Sequence, residues 1–275
     1  MSIKSALSIL LLLLALSTGP FNSCLADPPA DLKASISRVN ELVGARDYEA
    51  ALPVSERAVA KFPQNYEARV QRGLVYMGLE EDEKAVVDFQ WALHMKPKDH
   101  LVASDLASAY SSMNDQKSAL KYVDISIANC PQQAGYLAAC YDLKKEILRR
   151  MERYDEAEKA LSKALRLDSG DPHWFLERLK LRLKISQWQG AIDDASHCLP
   201  VMPNFKEQIL QMRAKAYVGM KRYSEAERDL NEALKLDPDE LSLHKDRYLV
   251  YQLTGKKDLA EKEHKLIENL EKHDI

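Results

Sequence analysis

Residues 66–99 read YEARVQRGLVYMGLEEDEKAVVDFQWALHMKPKD. Val70, Gly73, Leu74 and Met77 fall at i, i+3, i+4 and i+7, the spacing of one apolar helix face. After a polar break at Glu80-Glu81-Asp82, the residues Ala85, Phe89, Ala92 and Leu93 repeat it. Pro97 stops the second helix, because proline lacks an amide donor and its ring clashes with the preceding turn. Gly73, Ala85 and Ala92 are small enough for two helix axes to approach closely. The stretch is a helical hairpin of 34 residues.

The same hairpin recurs on both sides. Pro63, Pro97 and Pro131 are 34 residues apart; a four-residue insertion carries the frame to Ser169, and Pro203 and Pro238 follow. Ala51, Ala85, Ala119, Ala157, Ala191, Ala226 and Ala260 form one column. Seven residues later Ala58, Ala92, Ser126, Ala164, Cys198, Ala233 and Ile267 form another. The units run 32–65, 66–99, 100–133, 134–171, 172–205, 207–240 and 241–275. In the fourth, the first helix, predicted over Tyr136 to Met151, is four residues longer, about one turn. That insertion is either neutral or a joint between three front units and four rear ones.

The pattern resembles the tetratricopeptide repeat, with its W-x2-L-G-x2-Y, A-x3-F and P signature. Gly73, Tyr76, Ala85, Phe89, Ala92 and Pro97 stand in signature columns, with Arg69 and Arg72 in place of the leading Trp and Leu. The other units match less fully, through Leu106, Tyr110 and Ala119 or through Ala214, Tyr217 and Ala226. The resemblance implies an all-α, right-handed α-solenoid of stacked antiparallel helix pairs over 27–275. It also implies a concave wall of first helices that binds a peptide or helix of another protein. By helical phase that wall carries Asn40, Gln71 and Ser108 at the front and His173, Lys180, Lys184, Lys215 and Lys245 at the rear. The rear lysines suit a carboxylate-rich segment or a free C-terminus; Glu177 and Asp246 share their phase and weaken the stripe. Some relatives clamp a C-terminal carboxylate with lysine and asparagine, but Ile36, Glu67 and Asp105 fill those columns here.

Composition agrees with a soluble, core-forming chain: 46% hydrophobic and 29% charged residues, with only 9 Gly and 11 Pro among 275. The net charge of −3 argues against nucleic acid as a partner, since phosphate binding needs clustered positive charge. Residues 1–26 read as a secretory signal: Lys4, the apolar Ala6 to Leu16, the breakers Gly19-Pro20, and Cys24-Leu25-Ala26 before a cut. A membrane anchor is the alternative, but eleven residues span about 16 Å of helix, roughly half a hydrocarbon core. Lipid attachment at Cys24 is another, although Phe21-Asn22-Ser23 is unlike a bacterial lipobox. No N-x-S/T acceptor occurs, so a periplasmic or extracellular location is expected.

Sites for chemistry are sparse. No CxxC, HExxH, phosphate-cradling glycine loop or G-x-S-x-G is present, so no metal, cofactor or catalytic residue is assigned. His197 and Cys198 are adjacent on one helix and point about 100° apart. Asp193-Asp194 and Glu80-Glu81 read as exposed charges. Cys130 and Cys140 flank a turn and are candidates for a disulfide, whereas Cys198 lies in a packing column. The expected function is a non-enzymatic exported scaffold or adaptor. A holdase for unfolded exported chains is the alternative, and an enzyme with an unrecognised site the remote one.

Overall fold

The computed structural model describes residues 29–131, 134–168 and 170–273. The leader 1–26 with Cys24, Ser169 and the terminal Asp274-Ile275 lie outside the described residues.

Fourteen α-helices occur among the described residues: α1 (Ala30–Gly44), α2 (Tyr48–Lys61), α3 (Tyr66–Gly78), α4 (Asp82–Met95), α5 (His100–Ser112), α6 (Gln116–Asn129), α7 (Ala134–Arg150), α8 (Tyr154–Leu167), α9 (Pro172–Lys184), α10 (Trp188–Cys198), α11 (Lys206–Gly219), α12 (Tyr223–Leu236), α13 (Leu241–Leu253) and α14 (Lys257–His273). Odd and even numbers are the first and second helices of the seven units. Together they form the expected all-α, right-handed solenoid. Among the first helices the longest is α7, at 17 residues against 13 for α3, α5, α9 and α13.

Local chemistry sets the helix ends. Asn65, Asp99 and Asp171 accept hydrogen bonds from amides of the first turns of α3, α5 and α9; such caps satisfy donors that have no partner within the helix. The turn inside every hairpin uses one device. Arg46, Glu80, Asn114, Glu152, Ser186, Lys221 and Gly255 all take φ between 58° and 71°. The next amide closes back on the first helix: Asp47 N–H on Leu42 O at 2.9 Å, Arg153 N–H on Leu148 O at 2.9 Å, Lys256 N–H on Tyr251 O at 3.0 Å. This is a Schellman closure, usually built on glycine. Six of the seven residues here carry a Cβ and the strain that goes with it. Glu152→Gly is therefore expected to stabilise by about 0.5–1 kcal/mol, relief of left-handed strain less the extra entropy of an unfolded glycine; denaturant melting checks it.

The core runs through the stack without a centre. The alanine columns are buried throughout, from Ala51 to Ala260. Phe89 lies against Gly73, where an added Cβ would fall 2.6 Å from its ring. Gly78 underlies the Tyr48 ring and Gly219 the Trp188 ring in the same way, between successive units.

Four units add a buried ion pair of constant spacing. Arg72 meets Asp88 at 2.7 Å, Arg178 meets Asp194 at 2.7 Å, Arg213 meets Asp229 at 2.7 Å, and Arg247 meets Glu263 at 2.9 Å. Each acid stands sixteen residues after its arginine, and every one of the acids is buried. The third unit fills those two columns with Leu106 and Tyr122. The reading of Asp193-Asp194 as exposed charges is thus corrected for Asp194. It faces the previous helix rather than solvent and is held by Arg178 and Arg182.

Candidate protein-binding wall

First helices touch one another along the stack, α1 to α3, α3 to α5, α5 to α7, then α9 to α11 and α11 to α13. Second helices touch only first helices. The first helices therefore take the inside of the curve. The row has one break: no Cα of α7 comes within 8 Å of one of α9. There the units are joined through α8. Arg182 Nε donates to Glu158 Oε1 at 3.0 Å and Arg178 donates to Ser162 Oγ at 3.1 Å. The same two arginines hold Asp194 on α10.

Along the front of the wall, Asn40 is exposed, and Ser108 Oγ donates to the Ser104 carbonyl at 3.1 Å. Gln71 is half-buried, and its Oε1 is a buried acceptor without a donor. Asp105 holds the equivalent position one unit later. Burial, with the charge of Asp99, pushes its carboxyl up to about 6. Asp99 is itself satisfied by the Tyr66 hydroxyl at 2.5 Å and by the α5 amides, whereas no described residue donates to Asp105. The front thus presents one buried acceptor without a donor and one desolvated carboxyl.

The rear is different. Lys180 pairs with Glu177 at 2.9 Å, Lys215 with Asp246 at 3.3 Å, and Lys245 with Glu271 at 2.7 Å. Gln211 Nε2 donates to Asp246 Oδ2 and to Ser242 Oγ, both at 2.8 Å. Lys184 lies over the Tyr154 ring at 5.4 Å, and His173 stands edge-on to Phe205 at 5.9 Å. All the expected wall residues are on first helices, but the lysines do not form one open cationic stripe. An acidic ligand would have to displace carboxylates from three of them. A small cavity of about 90 Å³ opens beside Lys215 and Asp246, lined by Ala214, Val218, Leu230 and Leu249.

The remaining candidates resolve into packing. The His197 ring lies on Phe175 at 3.9 Å, while the Cys198 thiol points at the Pro172 carbonyl at 3.8 Å. Burial pushes that thiol up to about 11, far from a nucleophile's range. Arg69 stacks over Trp91 at 4.5 Å. Trp174 packs against the buried α8 cluster. Among the described residues no cluster of His, Cys, Asp and Glu could hold a metal ion, and no helix is long and apolar enough to cross a membrane.

Models of the tetratricopeptide repeat match residues 36–100, 146–171 and 208–240. The DnaJ homolog subfamily C member 7 homolog of Schizosaccharomyces pombe is 25% identical over 204 residues, 73% of this chain and 37% of that protein. The chain spans between 7% and 42% of the length of the curated relatives it matches. Among solved structures, the C-terminal part of a TPR repeat-containing protein from Cytophaga hutchinsonii superposes with a TM-score of 0.68 at 14% identity, over 86% of this chain and 95% of that one. YrrB, described as a TPR protein with an unusual peptide-binding site, superposes with a TM-score of 0.54 at 17% identity, over 66% of this chain and 91% of its own. The matched segments coincide with hairpins of the solenoid, and this chain is a tetratricopeptide repeat protein, whose fold supports protein–protein interaction.

Proposed function

We propose that the protein is an exported, non-enzymatic scaffold that holds a segment of a partner polypeptide along its first-helix wall. The observation that carries this reading is Gln71 Oε1, a buried acceptor without a donor, with the desolvated Asp105 carboxyl in the equivalent place one unit on. Buried polar groups without partners cost stability. Where they line a wall, a ligand that brings the missing donors gains what the free protein lacks. The partner segment should therefore bring lysine, arginine or unpaired amide donors to the front, and an apolar side chain fits the cavity beside Lys215. The peptide-binding site named for YrrB lends support. The apolar leader from Ala6 to Leu16 supports export.

The sign of the Asp105 effect makes the test selective. Its folded value of about 6 lies above its ordinary 3.8. Above pH 6 the folded state holds a desolvated carboxylate, and the full penalty applies. As pH falls from 6 to 4 the penalty vanishes, so this group adds stability on acidification. Asp105→Asn is expected to stabilise at pH 7, by as much as about 3 kcal/mol, and to change nothing below pH 4. The same variant should bind lysine- and arginine-bearing peptides on a short-peptide array about tenfold less well. Equal peptide binding by wild type and Asp105→Asn would show that the acceptor serves no ligand.

A chaperone-like holdase is the second reading, favoured by the similarity to a DnaJ homolog over 73% of the chain. It requires binding to many denatured proteins, with little preference for cationic segments.

A further inference from the structure

We infer that Cys130 and Cys140 are the site of an intramolecular disulfide that staples the turn between α6 and α7, with Cys198 left as a thiol. The inference stands apart from the partner-binding proposal. All three cysteines are free and buried in the structure. Cys130 caps the C-terminal end of α6, and Cys140 lies ten residues on, on the buried face of α7. The two side chains share one cluster with Leu137, walled by Ile127, Tyr141 and Leu167, and burial together with the neighbouring Cys140 thiol raises the Cys130 thiol. Proton placement around them is fixed. Ser126 Oγ donates to the His100 carbonyl at 2.8 Å, so in its 3.3 Å contact with Cys140 the thiol is the donor. Cys140 is left with sulfur lone pairs, and its one sulfur neighbour among the described cysteines is Cys130. Cys198 is in a different cluster, bonded to Pro172.

The chemistry is thiol–disulfide exchange with a small disulfide such as oxidised glutathione. One protein thiolate attacks and releases a glutathione thiolate. The second then displaces the other, so two protein thiols are oxidised and one glutathione disulfide is reduced to two thiols. Burial raises the Cys130 thiol above its ordinary range, so the folded thiols react slowly. The bond should form while the chain folds or when the turn opens. It would tie the third unit to the fourth, the unit whose first helix is extended.

The full-length protein is refolded in a glutathione buffer, unfolded, alkylated and cut with trypsin. One tryptic peptide, Tyr122 to Lys144, contains both cysteines. It should emerge unalkylated and lighter by two hydrogens, with Cys198 alkylated. Reductant should lower the melting temperature by roughly 5 °C, and Cys130→Ser should abolish that response. Alkylation of both cysteines in the peptide after oxidative refolding would overturn the inference. So would a retained glutathione adduct on either, or a disulfide that includes Cys198.

Discussion

Arg182→Met is expected to destabilise the protein by about 3–5 kcal/mol and to split its unfolding into two steps. The guanidinium bridges Glu158 at 3.0 Å and Asp194 at 2.9 Å, and also donates to the Gly190 carbonyl at 3.0 Å. Both acids are almost fully buried. Removing one partner of a buried pair strands a charge in low dielectric, which is why the cost exceeds the worth of the pair itself. Asp194 keeps Arg178, but Glu158 keeps only the Ser162 hydroxyl. Its place in the stack decides the form of the loss. The α7–α9 junction is the one step where no Cα of one first helix comes within 8 Å of the next, so the fourth and fifth units lean on α8 and its ion network. A repeat stack is held by nearest-neighbour interfaces. Weakening this one should let units five to seven melt before units one to four. Arg182→Met combined with Glu158→Leu removes the stranded charge and should recover most of the loss. A single unchanged transition for Arg182→Met would show that the junction draws its strength elsewhere.

Phe89→Ala should cost about 3–5 kcal/mol, the range for truncating a fully buried aromatic ring. Phe89 is wholly buried among Tyr76, Val86, Val102 and Leu106, and joins the second unit to the third. Its ring lies over Gly73, so the two positions are coupled. Gly73→Ala alone should cost about 1–3 kcal/mol by overpacking. In the Phe89→Ala background the added methyl enters the cavity instead, and the cost should shrink or change sign. Additive losses in urea melts would contradict that contact.

Hairpin number, order and length were legible in the sequence, because proline and alanine columns report the closest helix approaches. Two structural devices were not. The positive-φ turns escape notice because six of them use Arg, Glu, Asn, Ser or Lys where glycine is the usual sign. The arginine–acid pairs are split between two helices sixteen residues apart, and at Arg72 the sequence showed only a departure from the signature. The closing helix shows the same limit. Although most of its residues are charged or polar, α14 leaves Leu259 and Leu266 at 39% and 40% exposure.

The wall was half legible. Helical phase placed these side chains on first helices, since position within a repeat depends on local register alone. What each side chain meets depends on neighbouring helices. Lys215 is neutralised by Asp246 of α13 and Lys245 by Glu271 of α14, and burial raises the Asp105 carboxyl, none of which helical phase reports.

Site-specific photo-crosslinking in cells tests most directly whether this solenoid holds another polypeptide by its first helices. A photoreactive residue at Asn40 or His173, on α1 and α9, should capture a protein partner. The same residue at exposed Val87 or Lys159, on α4 and α8, should not. Adducts from the second helices alone, or none from either set, would contradict the account.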